Sequence, residues 1–159
     1  IFGYRTNDKN SPTYEEDVAA AKKIAQALRE DGWEFACHSW GYKDMKAADL
    51  DLLKKDTARW FEEVGSIVGE TEIYAFPFGN DIESASGVYK SEKYKFLKSS
   101  GFNVFLGVYK EPWLHVKNNY IRMTRRPVDG QALLEFPERL ADLFDAGEII
   151  DPRRPAKNW

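Results

Sequence analysis

Apolar residues recur with a helical period in some stretches of this chain and form short continuous runs in others. Between residues 14 and 30 they return every three or four positions, which predicts an amphipathic helix. Residues 13–16, Thr-Tyr-Glu-Glu, have the form of a capping box at its start, and Gly32 is a suitable C-terminal cap. The same period over residues 50–68 predicts one long helix that ends at Gly69. The apolar positions of the two helices are Val18, Ala21, Ile24, Ala25 and Leu28, then Leu50, Leu53, Trp60, Phe61, Val64, Ile67 and Val68.

Short apolar runs between the helices predict strands. Residues 33–37 are mostly apolar or aromatic, which indicates a buried strand. The other predicted elements, in chain order, are strands at 72–76, 103–108 and 120–124, a short helix at 91–99 closed by Gly101, a short helix that carries Leu140, Leu143 and Phe144, and a tail at 151–155.

The alternation of helices and strands indicates right-handed βαβ units and a parallel sheet. We find no repeat, low-complexity tract or linker, so we expect a single domain over residues 1–159. A closed eight-stranded barrel needs about 250 residues. The predicted fold class is therefore α/β, as an open sheet or as an incomplete or irregular (β/α) barrel that lacks its first strand or strands. The chain begins at Ile1 rather than at methionine, so we expect the protein to include a segment upstream.

Composition and charge limit the classes of partner. The net charge is −3, so there is no basic excess for nucleic acid or for an anionic membrane. No apolar run reaches the roughly 20 residues of a membrane span, and no signal peptide is recognisable. The single cysteine, Cys37, excludes an intrachain disulfide framework and is predicted to be a buried apolar residue rather than a nucleophile. Aromatic residues make up 14% of the chain, which slightly favours a carbohydrate ligand.

Polar side chains follow two of the predicted strands. The turn after Cys37 and the turn after Phe76 should adjoin, because consecutive strands of βαβ units usually pair. Together the turns offer one pocket the side chains of His38, Ser39, Trp40, Tyr42, Asn80 and Asp81. His38 can bind a metal, act as an acid or base, or serve as a hydrogen-bonded structural residue. His115 can equally be a surface residue. The sequence has no Cys/His cluster with metal spacing, no glycine-rich phosphate loop and no G-x-S-x-G elbow.

Charged residues near the predicted loops allow a further chemistry. Two carboxylates about 5 to 9 Å apart can form a glycosidase pair, and the candidates are Asp44, Asp81, Glu83 and Asp129. Most carboxylates of this kind are simply solvated. The charge-rich stretch from Arg122 to Gly130 is either a solvated edge with Arg–Asp pairing, which we favour slightly, or the source of an arginine that orients an acid in the pocket.

Residues 32–41, Gly-Trp-Glu-Phe-Ala-Cys-His-Ser-Trp-Gly, resemble the second motif of the polysaccharide deacetylase family, the NodB-type carbohydrate esterases. In that family the motif is a strand that ends in His-Ser/Thr-x-x-His, and both histidines hold a divalent metal. Further along, the family has Arg-x-Pro-Phe/Tyr-Gly, where residues 75–79 of this chain read Ala-Phe-Pro-Phe-Gly. Residues 120–122 resemble a strand of divergent bacterial members. The resemblance covers most of the chain, although only the His-Ser-Trp-Gly and Pro-Phe-Gly turns are specific.

The chain departs from the family pattern at four places. The Asp-Asp pair of the first motif has no match, and we expect it upstream of Ile1. Tyr42 stands where the second metal histidine should be, and a neutral phenol is a poor zinc ligand. Ala75 stands where the third motif has arginine. The family's late Leu-x-His motif is matched only weakly, by Leu114-His115.

The resemblance implies a hydrolase that removes acyl groups from a carbohydrate of the chitin, xylan or peptidoglycan type with the help of Zn, Co or Ni. Of the family's catalytic and metal-binding roles, only the first metal histidine maps onto this chain, as His38, and the catalytic aspartate would lie upstream of Ile1. The implied substrate-binding residues are Trp40, Tyr42, Pro77, Phe78 and Gly79. Arg122 is implied to support them without contacting the substrate itself. The implied location is extracellular or at a bacterial cell surface.

Two other functions stay open. One is a catalytically silent carbohydrate-binding relative, in which Trp40, Tyr42 and Phe78 line a sugar groove. The other is a glycosidase that uses two loop carboxylates.

Overall fold

A mixed sheet of four strands is the framework of the protein. The computed structural model describes residues 8–109 and 111–149, together with 151 and 153. The strands are β1 (Ile73–Ala75), β2 (Val104–Gly107), β3 (Leu114–Lys117) and β4 (Tyr120–Thr124). They lie in the order β1-β2-β4-β3, with β1, β2 and β4 parallel and β3 antiparallel to β4. The predicted α/β class is confirmed, with a mostly parallel sheet.

Three of the described helices precede the strands, one lies between β1 and β2, and two follow β4. The helices are α1 (Tyr14–Glu30), α2 (Leu50–Trp60), α3 (Ser66–Val68), α4 (Glu92–Ser99), α5 (Gly130–Glu135) and α6 (Ala146–Ile149). Short 3₁₀ turns occupy Pro77–Gly79 and Pro137–Arg139. Between α2 and α3 the backbone widens into a π-helical segment, Phe61–Gly65, so the predicted long helix is one run with an irregular turn inside it. Gly69 ends this run with a φ of 83°, as predicted.

The described residues divide into two compact units. The first runs up to Arg125 and contains α1 to α4 and the whole sheet, and the second begins at Arg126 and contains α5 and α6. The expectation of one domain over the whole chain stays a prediction. In the part of the chain that the structure describes, no helix is both long and apolar enough to cross a membrane.

The predicted strand at 33–37 is wrong for most of its length. Gly32 has a φ of 86°, and the N–H groups of Gly32 and Trp33 donate to the carbonyls of Arg29 and Leu28. These two bonds form a Schellman motif, so Trp33 belongs to the end of α1 and its side chain is 66% exposed. Only Cys37 pairs with the sheet, through a single parallel bridge to Tyr74.

Three smaller expectations also need correction. Thr13 is the N-cap of α1, but its side chain makes no capping bond and its hydroxyl donates instead to Asp17, so the capping box does not form. Strand β3 was not predicted, because its four residues alternate apolar and polar over too short a run and are largely exposed. Leu140 and Leu143 lie in turns between the 3₁₀ turn and α6, not on a helix.

Aromatic rings make up much of the core of the first unit. Tyr74, Phe76, Phe102 and Phe105 are fully buried. The Tyr74 and Phe102 rings meet edge to face with centroids 5.1 Å apart, and Phe76 stacks with Phe105 at 6.3 Å. Full burial of such a side chain contributes about 1.5–3 kcal/mol. Much of the aromatic content therefore stabilises the core rather than a binding surface.

Gly79 lies where the turn after β1 closely approaches the end of β2. Its φ is 72°, and a Cβ added to it would lie 2.3 Å from the Cβ of Val108 and 2.9 Å from that residue's backbone nitrogen. The carbonyl oxygen of Gly79 accepts a hydrogen bond from the same nitrogen at 3.0 Å. The turn can keep this position only if residue 79 has no side chain.

We expect Gly79→Ala to lower the free energy of unfolding by more than about 3 kcal/mol, because it combines a steric overlap with an unfavourable φ. Gly32→Ala is the matched control, since its φ is 86° but nothing lies within 4 Å of the added Cβ. It should cost only about 1 kcal/mol. Urea unfolding of the two variants measures the difference, and equal losses would show that the approach to Val108 is not what requires glycine.

Candidate functional site at the carboxyl edge of the sheet

Two turns meet at the carboxyl edge of the sheet. Cys37 pairs in parallel with Tyr74 of β1, so both segments reach the same edge. Three side-chain contacts join the turns that follow: His38 to the carbonyl of Ala75, the Tyr42 ring to the Phe78 ring, and the Asn80 amide to the carboxylate of Asp44. The prediction that these two turns adjoin is confirmed.

His38 has a defined tautomer. Its Nδ1 lies 2.7 Å from the carbonyl oxygen of Ala75. A carbonyl oxygen can only accept, so Nδ1 carries the proton and donates it, and the lone pair of the neutral ring is on Nε2. Among the described residues Nε2 makes no hydrogen bond. Metal-binding histidines are commonly oriented by such a bond from the other ring nitrogen to a backbone carbonyl.

The carboxylate of Asp56 holds the turn that follows His38. Asp56 is on α2 and is 5% exposed. Its Oδ2 accepts from the hydroxyl of Ser39 at 3.0 Å and from the backbone N–H of Gly41 at 2.7 Å, and its Oδ1 accepts from the N–H of Trp40 at 2.9 Å. The hydroxyl of Ser39 in turn accepts from the N–H of Lys43 at 3.1 Å. These four bonds fix the backbone from residue 39 to residue 43.

Three non-glycine residues of the two turns have left-handed backbones. The φ values are 60° at Ser39, 50° at Tyr42 and 57° at Phe78. Each such conformation costs roughly 1–2 kcal/mol in a residue with a side chain. Strain of this kind persists only where surrounding contacts impose it. Here the left-handed residues set the direction of the side chains that meet at the edge.

Tyr42 and Phe78 form an exposed aromatic pair beside His38, which we call the aromatic shelf. Tyr42 is 53% exposed and Phe78 is 59% exposed. Their rings meet edge to face with centroids 4.7 Å apart, and the rings of Tyr42 and His38 meet in the same way at 5.2 Å. Large aromatic side chains at this exposure lack the stabilisation that burial would give them. Exposed apolar patches often mark binding sites, so the aromatic shelf is a candidate surface for a ligand.

Trp40 is held by charged neighbours. Its indole N–H donates to Oε2 of Glu63 at 2.7 Å, and the guanidinium of Arg59 lies 3.5 Å from the centre of its ring. Arg59 also pairs with Glu63 at 3.1 Å. One ring face of Trp40 is therefore already covered by a cation, and its proposed part in substrate binding stays a prediction that depends on the other face.

Arg122 is fully buried, so the stretch is not a solvated edge at that residue, whereas the Arg–Asp pairing expected for the stretch is present. Its Nε and Nη2 donate to Oδ2 of Asp81 at 3.2 and 2.7 Å, and its other bonds go to the carbonyls of Ser84 and Gly87. The phenol of Tyr89 donates to Oδ1 of Asp81 at 2.6 Å, and burial together with the nearby Asp81 charge raises the pKa of Tyr89. Arg122 thus anchors the loop that follows the Pro77–Gly79 turn.

The remaining candidates are distributed more widely. Pro77 and Gly79 are buried and shape the turn, so Phe78 is the member of that motif whose side chain is exposed. His115 lies on β3, with its ring 4.5 Å from that of Trp113. Asp129, in the second unit, accepts from the N–H of Ala132 as the N-cap of α5. Cys37 is fully buried, as predicted, and burial raises the pKa of its thiol far above the usual range.

The described residues do not supply a complete set of metal ligands. His38 fits as one ligand, because its Nε2 lone pair is available and its ring is anchored. Tyr42 contributes a neutral phenol, which zinc binds poorly. Within residues 8–109 and 111–149, no group of three or more His, Cys, Asp or Glu side chains is arranged to hold a metal ion.

Asp56 and Glu63 were not among the residues predicted from the sequence. Asp56 had a usable signal, since it falls on the buried face of α2 between Leu53 and Trp60, where a carboxylate must find partners. Glu63 had none, because its position on a surface helix is ordinary for a charged residue. Arg125 lies in the charge-rich stretch that was considered as a source of an arginine for the pocket, although the sequence did not single it out.

A scan against protein-family models and searches of curated proteins and of solved structures found no match to this chain. The geometry of the edge and the resemblance of its two turns are therefore the features that bear on function.

We expect Asp56→Ala to lower the free energy of unfolding by about 3 kcal/mol, because it leaves the Ser39 hydroxyl and two backbone N–H groups without their acceptor. Asp51→Ala, an exposed carboxylate in the first turn of the same helix, should cost about 0.5 kcal/mol. Urea unfolding compares the two variants. A loss at Asp56 as small as that at Asp51 would contradict its role as the anchor of the turn.

Glu63 should make stability depend on acid pH. Partial burial alone would raise the pKa of Glu63, but hydrogen bonds from Trp40 and Arg59 outweigh it and lower that pKa below its ordinary value. A carboxylate whose pKa is lower in the folded state stabilises the protein above the ordinary carboxyl range, about pH 4 to 5, and this contribution disappears as pH falls through the lowered value. We therefore expect the stability difference between the wild type and Glu63→Gln to be constant near neutral pH and to shrink in acid.

Unfolding free energies measured from pH 7 down to pH 3 test this expectation. Glu62→Gln, at the exposed neighbouring position, is the matched control for removal of one negative charge. A difference that stays constant to pH 3 would contradict the contact between Glu63 and Trp40.

Proposed function

We propose that this chain is a divergent domain of the polysaccharide deacetylase type, which handles carbohydrate at the carboxyl edge of its sheet and takes part in metal-assisted removal of acyl groups. The observation that carries the proposal is His38, whose Nδ1 is anchored on the carbonyl of Ala75 and whose Nε2 has no partner among the described residues. The anchored ring lies at the carboxyl edge of the sheet, where α/β folds place their sites.

The order of the strands supports this fold type. The Cys37 segment, β1, β2 and β4 are parallel neighbours in the order in which they occur along the chain. A (β/α) barrel is built from parallel strands in sequential order, whereas a doubly wound sheet reverses direction at a switch point. We therefore propose that the sheet is part of an incomplete or irregular (β/α) barrel.

A divalent metal of the Zn, Co or Ni kind would polarise an acyl carbonyl and activate water. In this chain His38 is the residue that would hold it, and the described residues contribute no complete ligand set. What they do contribute is orientation: Asp56 fixes the turn after His38, and the Ala75 carbonyl fixes the imidazole ring. We propose an extracellular or cell-surface location together with this function, by the same resemblance.

The aromatic shelf favours a second candidate, a carbohydrate-binding relative without catalysis. Tyr42 takes the place of the second metal histidine and instead joins Phe78 in an exposed aromatic surface. Such a surface suits the apolar face of a sugar ring. The glycosidase has no comparable support, because Asp81 is bound by Arg122 and Tyr89, and Asp129 caps a helix.

Acetate release from N-acetylglucosamine oligosaccharides, measured with added Zn²⁺, Co²⁺ or Ni²⁺, tests the deacetylase. We expect His38→Ala to abolish release and metal binding, while His115→Ala, the matched control, retains both. Tyr42→His should tighten metal binding, since the metal affinity of whole structural sites is about 10–16 kcal/mol and each added ligand supplies a share of it. Histidine tolerates the left-handed backbone at this position better than most residues.

The same oligosaccharides distinguish the second candidate. Binding that is lost in Phe78→Ala but kept in Trp33→Ala, without acetate release under any metal, would favour the silent relative. Absence of both binding and acetate release in the wild type would contradict the proposal in either form.

A further inference from the structure

The carboxyl edge also holds a guanidinium whose charge the described residues leave uncompensated. Arg125 follows β4 directly, and its backbone N–H donates to the carbonyl of Gly107 at 2.9 Å. Its Nη2 donates to the carbonyl oxygen of Phe76 at 2.8 Å. Arg125 is partly buried, and among the described residues no carboxylate forms an ion pair with it.

Among the described residues, most N–H groups of the Arg125 guanidinium have no acceptor. A guanidinium has five N–H donors, and its one bond to the described residues is the bond from Nη2 to Phe76. Its Nε is buried and has no partner in this part of the chain. Arg122, by contrast, donates to Asp81 and to two carbonyls. Arg125 is partly exposed and lacks a counter-charge among the described residues, so the arrangement is suited to a ligand that supplies the charge.

Arg125 and His38 lie on either side of the chain where it leaves β1. His38 donates to the carbonyl of Ala75, and Arg125 donates to the carbonyl of Phe76. Successive peptides of an extended chain point to opposite edges and are about 3.3 Å apart along it. The backbone bonds show this alternation, because the N–H of Ala75 donates to Cys37 and the N–H of Phe76 donates to Leu106. A ligand over the end of β1 would thus have the imidazole on one side and the guanidinium on the other.

We propose that Arg125 binds the carboxylate of an acidic sugar, such as a uronic acid, while the aromatic shelf holds a neighbouring ring. The planar fork of a guanidinium matches a carboxylate in geometry and charge. The protein carries a net charge of −3, so a preference for an anionic glycan has to originate in a local cation of this kind. This inference rests on the proposed function, since it names the class of carbohydrate that the same edge accepts.

Calorimetric titration of the 159-residue chain with trigalacturonate and with its methyl ester tests the inference. The two probes differ in charge at the carboxyl groups. We expect the wild type to bind the acid at least about tenfold more tightly than the ester, which is the lower end of what one hydrogen bond to a charged group contributes. Arg125→Gln should remove this preference and leave ester binding unchanged within roughly twofold. Arg125→Lys should keep part of it, because the charge remains while the fork is lost.

Arg126→Gln is the matched control, because Arg126 is the next residue and is already paired with Asp142. It should keep the preference for the acid. Equal losses of acid and ester binding in Arg125→Gln would show that Arg125 only supports the turn at Phe76, and this would overturn the inference. A wild type that binds both probes equally would overturn it as well, while leaving the proposed carbohydrate function standing. Binding of neither probe would overturn the inference, and the separate result with N-acetylglucosamine oligosaccharides would then decide the proposed function.

Discussion

The arrangement of the candidate site depends on one buried carboxylate that receives hydrogen bonds from a strained turn. Asp56 accepts the hydroxyl of Ser39 and the N–H groups of Trp40 and Gly41, and it has no ion-pair partner among the described residues. Hydrogen bonds to a charged acceptor contribute about 1.5–3 kcal/mol each. Their sum exceeds the roughly 1–2 kcal/mol that each left-handed residue costs, so the turn can keep conformations that would otherwise be rare.

A second buried carboxylate has the corresponding role on the other turn. Asp81 follows the Pro77–Gly79 turn and is bound by Arg122 of β4 and by the phenol of Tyr89. Asp56 is held by neutral donors, whereas Asp81 is held by a cation. The ion pair of Asp81 with Arg122 ties the loop after β1 to β4, on the far side of the parallel strands. Each turn is therefore fixed to a rigid element, α2 in one case and β4 in the other. The aromatic shelf and His38 project from between two anchored loops, which is how a preorganised site is built.

How much of this was predictable varies from residue to residue. The helix at 14–30 and the strand Tyr120–Thr124 were predicted with their correct bounds, because apolar period and turn residues agree there. The strand at 33–37 was predicted too long, since Gly32 and Trp33 complete the end of the preceding helix and only Cys37 reaches the sheet. The placement of His38 beside the turn after β1 followed from strand order. The contact between Tyr42 and Phe78 did not, because it needs two left-handed residues that sequence patterns do not reveal.

The sequence by itself determined most of the helices and strands, and with them the mostly parallel sheet whose carboxyl edge gathers the two turns. Those features follow from local period and from the chirality of βαβ connections, which the order of residues contains. Only the tertiary structure decided which side chains are fixed by charge and hydrogen bonding. They are Asp56 under the first turn, Arg122 inside the core with Asp81, and Arg125 at the edge, where its guanidinium has one acceptor among the described residues. These residues are far apart in the chain or ordinary in their local context. Their roles arise because a buried charged group needs hydrogen-bond or ion-pair partners, and these can come from any part of the chain. Which residues become partners therefore depends on three-dimensional position rather than on sequence spacing.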